Sequence, residues 1–292
     1  MTTYCVYHRA DFDGKCSAAI VLRKFPDAVL VPYNYGDEFD IERYRDHQVI
    51  MVDCSLQPFS QMVELAAICD LTWIDHHKTA IADYQEVQDN QYIKLLRRVW
   101  IAKLDSKFAG CELTWKHFFP DEEMPRGVWL LGKYDTWSLD ESPDIMPFQY
   151  GLRMFDTDPS LSIWSEIFMD DSVLAHHKKV STILEMGKIV LQYVKQFNEQ
   201  VCRHSFEVTF DGLRCICLNN PMQNSQVFDS VYDPARHDAM LSYYNAGGKH
   251  WTVSLYTTKE GIDVGAVAKA RGGGGHLRAA GFQVKELPKE LR

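Results

Sequence analysis

The chain has 292 residues, 46% of them apolar and 24% charged, which is enough for an ordinary soluble core divided into one large domain or two modest ones. A net charge of −9 argues against a broad basic surface for long nucleic acid, and no apolar run approaches the ~20 residues that span a bilayer. The acidity is uneven: residues 200–292 carry 11 Lys/Arg against 9 Asp/Glu, so the excess of acid lies in the earlier part, where it suits a site that collects divalent cations.

From the start of the chain, Met1 to Cys5 shows no basic segment followed by an apolar stretch. Short apolar runs at Tyr4–Tyr7, Ala28–Val31, Val49–Val52 and Leu71–Ile74 read as strands, with helical spacing over Cys16–Lys24 and Ser60–Ile68 between them. This alternation predicts an α/β fold with a parallel sheet covered by helices. Cys111–Phe119 and Val128–Tyr134 read as further helices, and Val173, Val180, Leu184, Gly187, Leu191 and Val194 mark one long amphipathic helix over about 172–202. Strands follow at Ser205–Phe210, Arg214–Leu218, Ala239–Tyr244 and Thr252–Tyr256, then a helix at Val264–Ala270 and a glycine run. These form a small α+β domain, so the expected division is 1–171, a linker helix 172–202, and 203–292. Eight cysteines without a C-x-x-C pair predict reduced thiols in a cytoplasmic protein.

Three of the early strands end in polar clusters, which a parallel sheet brings to one edge, where ligands gather. Asp11 and Asp13, in His8-Arg9-Ala10-Asp11-Phe12-Asp13-Gly14, can offer carboxylates to adjacent metal ions; the alternative is a turn in which Asp13 caps the next helix. Asp53 closes the third strand, again as a ligand or a cap. His76 and His77 follow Asp75 at the end of the fourth, and a mixed imidazole and carboxylate set suits manganese-like ions. His176-His177 lies within the long helix and reads as unrelated to the site. Asp135 ends a helix, where the dipole disfavours an anion unless a cation binds. Finally, Arg271, His276 and Arg278 flank Gly272-Gly273-Gly274-Gly275, whose amides can approach a phosphate closely.

Taken together and in this order, these clusters resemble the DHH phosphoesterase superfamily with a DHH-associated domain of the first type, the oligoribonuclease and phosphoadenosine-phosphate phosphatase group. The triplet of the name is Asp75-His76-His77, and the match runs from His8 to Phe282. The spacing departs slightly from many members, His8 standing three residues before Asp11. The resemblance implies an N-terminal α/β domain with a parallel sheet and helices on both faces, joined by a linker helix to a smaller C-terminal α+β domain, with the active site in the cleft. It implies two divalent ions, Mn²⁺ favoured over Mg²⁺ or Co²⁺, held by His8, Asp11, Asp13, Asp53, His76 and Asp135, with Asp53 bridging. His77 would stand beside the leaving group, with Asp75 orienting the histidines. Arg271, Gly273, Gly274, Gly275, His276 and Arg278 would hold substrate.

Within that family the accessory domain type points away from inorganic pyrophosphatases. Short oligonucleotides of two to five units remain the favoured substrate, with 3′-phosphoadenosine 5′-phosphate and cyclic or linear dinucleotides as alternatives. A non-catalytic nucleotide-binding protein is the reading from another class. Tyr243, Tyr244, Trp251 and Tyr256 offer either base-stacking surfaces or strand core. No membrane or long nucleic acid partner is expected, and the reading leaves room for a homodimer.

Overall fold

The computed structural model describes residues 1–88, 98–169, 179–221 and 224–292. The chain forms two compact units, Met1–Leu191 and Gln192–Arg292. In the first, β1 (Thr3–His8), β2 (Val29–Tyr33), β3 (Gln48–Val52), β4 (Asp70–Asp75) and β5 (Trp100–Leu104) make a sheet of order β2-β1-β3-β4-β5. Every pairing in it is parallel. Side chains alternate between its faces, as a strand repeat of two requires. Val6, Val49, Met51, Leu71 and Trp73 pack with Met62 and Leu65 of helix α2 (Ser60–Ile68) and Ala80 of α3 (Lys78–Val87). On the other face Cys5, Tyr7, Ile50, Val52 and Ile74 pack with Ala18 and Val21 of α1 (Phe12–Lys24). Helices therefore cover both faces, as expected of strands this apolar.

Strand β5 and the second strand show why edges are harder to read than centres. Trp100–Leu104 includes Lys103 and alternates half-buried with exposed positions, so no continuous apolar run announces it. Pro32 falls inside β2, which the sheet tolerates because β2 is an edge strand. After β5 come α4 (Gly110–Phe118), α5 (Arg126–Asp135), α6 (Ile145–Leu152), α7 (Ser162–Met169) and α8 (Lys179–Val201). Helix α6 carries Pro147 in its first turn and Gly151 near its end, which disguise it in the sequence. Gly151 and Gly187 mark where α6 meets α8: a Cβ on Gly151 would stand 1.9 Å from the Ile183 carbonyl oxygen. The expected start of the long helix at 172, and the pair His176-His177, lie outside the described residues.

The second unit is a mixed sheet of order β10-β11-β9-β8-β7-β6, built from β6 (Phe206–Phe210), β7 (Leu213–Asn219), β8 (Ala239–Ala246), β9 (His250–Tyr256), β10 (Gly274–His276) and β11 (Ala279–Val284). Only the β7–β8 pairing is parallel. Helix α9 (Val264–Ala270) places Val264 and Ala268 in its core beside Cys215, Cys217 and Phe282. Tyr243 is buried there, Trp251 packs against the same cluster and Tyr256 against a second, so these three take the core alternative. All eight cysteines are free and buried. Among the described residues, no helix is long and apolar enough to cross a membrane.

Candidate metal centre

The sheet order reverses at β1: the chain moves from β1 outward to β2, then returns to lay β3 on the other side. Such a switch point opens a crevice at the carboxyl ends of the flanking strands. His8 ends β1, Asp53 follows β3, and Asp75-His76-His77 closes β4. Asp53 adopts a left-handed backbone with φ of 58°, a conformation that Asp tolerates better than most residues. It is no helix cap, because α2 begins only at Ser60. Its carboxylate faces two ways: Oδ2 stands 3.6 Å from His8 Nδ1, and Oδ1 stands 3.2 Å from His76 Nε2. His76 Nε2 also lies 3.3 Å from Asp135 Oδ2 and 3.6 Å from Asp13 Oδ2.

Ligand-type atoms therefore gather in overlapping groups: His8, Asp11 and Asp53; Asp53, His76 and His77; Asp13, His76 and Asp135. The first turn of α1 does not take the alternative of a cap at Asp13. Asp11 is the cap, its Oδ1 accepting from Gly14 N–H at 3.0 Å, while its Oδ2 faces His8 Nδ1 at 2.8 Å. Asp13 is buried instead, and accepts from the Gly110 and Cys111 amides, both at 2.7 Å. Asp75, fully buried, accepts at Oδ1 from the His76 and His77 amides and from His77 Nδ1, the last at 2.6 Å. A carboxylate only accepts, so one His77 proton sits on Nδ1, and Nε2 is left to face the cluster with the second proton that the charged ring carries.

Crowded acids and imidazoles set one another's charge. Burial, then the Asp53 and Asp135 charges, push Asp13 well above the ordinary carboxylate range despite its two amide donors. Asp135 rises to about 6, through burial and then Asp53. Burial would also raise Asp53, but His76 and His8 outweigh it and hold the carboxyl at about 2. His8, between Asp11 and Asp53, is pushed up to about 10. Burial lowers His77, but Asp75 and Asp53 overcome it and carry the ring to about 9. Protons thus do here, imperfectly, what a cation does better. Asp53 Oδ1 and His8 Nδ1 are buried, and their close imidazole and carboxylate neighbours are poorly aligned for hydrogen bonds, so a cation between these groups would satisfy both better. The residues present fit a divalent metal.

The glycine run is neither a linker nor a plain loop. Gly272 turns the chain with φ of 80°, and Gly274–His276 forms the exposed edge strand β10. A Cβ on Gly273 would stand 2.1 Å from the Gly281 carbonyl oxygen, and one on Gly275 2.5 Å from Ala280 Cα. Arg271 grips Asp211 with both arms, at 2.7 and 2.6 Å, and stacks 4.4 Å over the Phe210 ring. His276 and Arg278 are exposed, without an ion-pair partner among the described residues.

No established family model matches the chain. Uncharacterized protein R106 of Acanthamoeba polyphaga mimivirus is 24% identical over 268 residues, covering 85% of this chain and 56% of that protein. The chain thus spans little more than half the length of that curated relative. A pGpG-specific phosphodiesterase, PggH of Vibrio cholerae, superposes with a TM-score of 0.58 at 12% identity, covering 97% of this chain and 93% of that one. The chain shares the fold of that phosphodiesterase, an α/β unit with a parallel sheet followed by a mixed-sheet unit, as the resemblance read from the sequence implies. An exopolyphosphatase-related protein of Bacteroides fragilis, 12% identical over 99% of this chain and 88% of its own, reaches a TM-score of 0.45.

Some residues that shape the site carry no obvious chemical signal. Gly110 lets α4 approach the cluster: a Cβ there would lie 2.8 Å from Asp53 Cβ and 3.1 Å from Asp13 Oδ2. Glu112, buried, accepts from the Ala109 amide at 3.0 Å, and so completes the helix start whose next two amides hold Asp13. A Glu three residues after the residue preceding the helix is half of the capping-box pattern; Ala109, with no side-chain acceptor, cannot supply the other half. Tyr35 walls the site, its ring centre 5.8 Å from that of His8 and 6.1 Å from that of His77.

Proposed function

We propose that the chain is a metal-dependent phosphodiesterase that hydrolyses short oligonucleotides, two to five units long, to nucleoside monophosphates. The observation that carries this reading is the buried Asp53 carboxylate, with one oxygen toward His8 and the other toward His76, so that it would be able to serve two cations at once. Asp11, Asp13, Asp53 and Asp135 bring four negative charges, which two divalent ions would cancel. Imidazole beside carboxylate favours Mn²⁺, ahead of Mg²⁺ or Co²⁺. When bound, such ions lower the pKa of water and neutralise the oxygens of the attacked phosphate.

The chain's own residues supply the rest. His77, held by Asp75, donates a proton to the departing alkoxide or stabilises it. Asp75 fixes its tautomer and direction. His276, Arg278 and the amides of Gly273, Gly274 and Gly275 receive substrate phosphate. Arg271, already engaged by Asp211, supports the glycine turn as well as adding positive charge. In this reading residues 1–171 form the catalytic domain, 172–202 the linker helix and 203–292 the substrate domain.

A linear-dinucleotide phosphodiesterase is the nearest second reading, favoured by the pGpG specificity of the Vibrio cholerae phosphodiesterase. Initial rates on diribonucleotides, pGpG, a 20-mer, cyclic dinucleotides and 3′-phosphoadenosine 5′-phosphate, with Mn²⁺ and with EDTA, test both. The expected result is metal-dependent cleavage fastest on the shortest linear chains. Binding without turnover across the whole panel would leave a nucleotide-binding protein instead.

A further inference from the structure

Helix α5 ends in a left-handed turn of the Schellman type. Ser138 N–H donates to the Lys133 carbonyl at 2.9 Å, and Trp137 N–H to that of Tyr134 at 3.1 Å. The residue at the left-handed position is Trp137, with φ of 58°. That position is commonly filled by glycine, because a Cβ crowds the following carbonyl there. A bulky aromatic in it is a genuine outlier.

Packing does not account for the tryptophan. Trp137 is 56% exposed and belongs to none of the described apolar clusters. Among the described residues its ring meets that of Tyr134, edge-on at 5.9 Å. Its place is informative. It follows Asp135 by two residues, and Asp135 Oδ2 stands 3.3 Å from His76 Nε2 at the metal centre. Two peptide links span at most about 7 Å, so the backbone of Trp137 lies in the turn directly after a residue of that centre. Local strain kept at a ligand site points to a function that the substitute of choice would lose.

We propose that Trp137 is a base-stacking platform. Resting on the phosphodiesterase reading above, the indole receives a nucleobase of a substrate whose phosphodiester lies at the metal centre. Every nucleobase has a π-face, so the platform selects base-bearing phosphodiesters over base-free ones without reading sequence. The class of substrate is thereby narrowed to nucleotides.

The test uses the full chain loaded with Mn²⁺ and the variants Trp137→Gly and Trp137→Phe. Each is assayed for kcat/KM on the diribonucleotide ApA and on the same diester lacking both bases. Trp137→Gly is expected to reduce the preference for ApA about tenfold or more, with a Tm equal to or above the wild type, while Trp137→Phe keeps most of the preference. A merely structural tryptophan predicts the reverse, a lowered Tm with the preference intact, and that result overturns the proposal. Should the wild type cleave neither diester, the phosphodiesterase reading falls, and AMP binding measured by calorimetry decides the platform separately. Weaker AMP binding by Trp137→Gly supports it; equal affinity overturns it.

Discussion

Asp75 and His77 show how a single buried acid can set the chemistry of a neighbour. One oxygen of Asp75 accepts three N–H groups from the histidine pair, and this fixes which nitrogen of His77 points to the cluster. If His77 serves the leaving group, His77→Ala should lower kcat by ~10²–10⁴-fold with metal content unchanged, read by steady-state kinetics alongside elemental analysis. Loss of metal together with activity would make His77 a ligand instead. Asp75→Asn should act one step further out, reducing metal affinity or turnover ~10–100-fold through a misdirected His77. The triplet was legible in the sequence because two histidines after an apolar strand are unusual. The cap was not: Asp11 and Asp13 are both plausible from spacing, and only the packing of α4 onto Asp13 decides between them.

At the scale of elements, the metal centre depends on how closely α4 approaches the strand ends. Gly110→Ala would place a methyl against Asp53 Cβ at 2.8 Å and Asp53 Oδ1 at 2.9 Å. We expect a loss of about 1–3 kcal/mol in a denaturant titration, and weaker Mn²⁺ binding as the carboxylates are displaced. Unchanged Mn²⁺ affinity would mean that α4 is not part of the cage. The central strands and α1, α2 and α5 were visible in the sequence because their apolar runs or helical periodicity are uninterrupted. Helices α6 and α7 were not. Pro147 and Gly151 punctuate α6, and α7 follows Asp156-Thr157-Asp158-Pro159-Ser160, a turn-like stretch that reads as loop. The pairing of the glycine run as an edge strand was likewise hidden, since glycines report tight approach only once Gly281 and Ala280 are seen opposite them.

For the whole molecule, the crowded charges predict how stability follows pH without metal. His8, at about 10, His77, at about 9, and Asp135, at about 6, hold protons more tightly than at their ordinary values of 6.5, 6.5 and 3.8. The stability each contributes is complete below the ordinary value and lost as pH rises through the folded one. Asp53, at about 2, works in the opposite sense, its contribution lost as pH falls from 3.8 through 2. Metal-free protein should therefore lose Tm between about pH 6 and 10, and Mn²⁺ should restore it most at the alkaline end, where protons no longer compete. Scanning calorimetry in EDTA and in Mn²⁺ checks this; a Tm that rises with pH in EDTA would contradict the assigned charges.

The most direct test is anomalous diffraction from crystals grown with Mn²⁺. Peaks bounded by His8, Asp11, Asp13, Asp53, His76 and Asp135, with Asp53 touching two of them, are the predicted result. Manganese bound elsewhere, or none within reach of these six side chains, would contradict it.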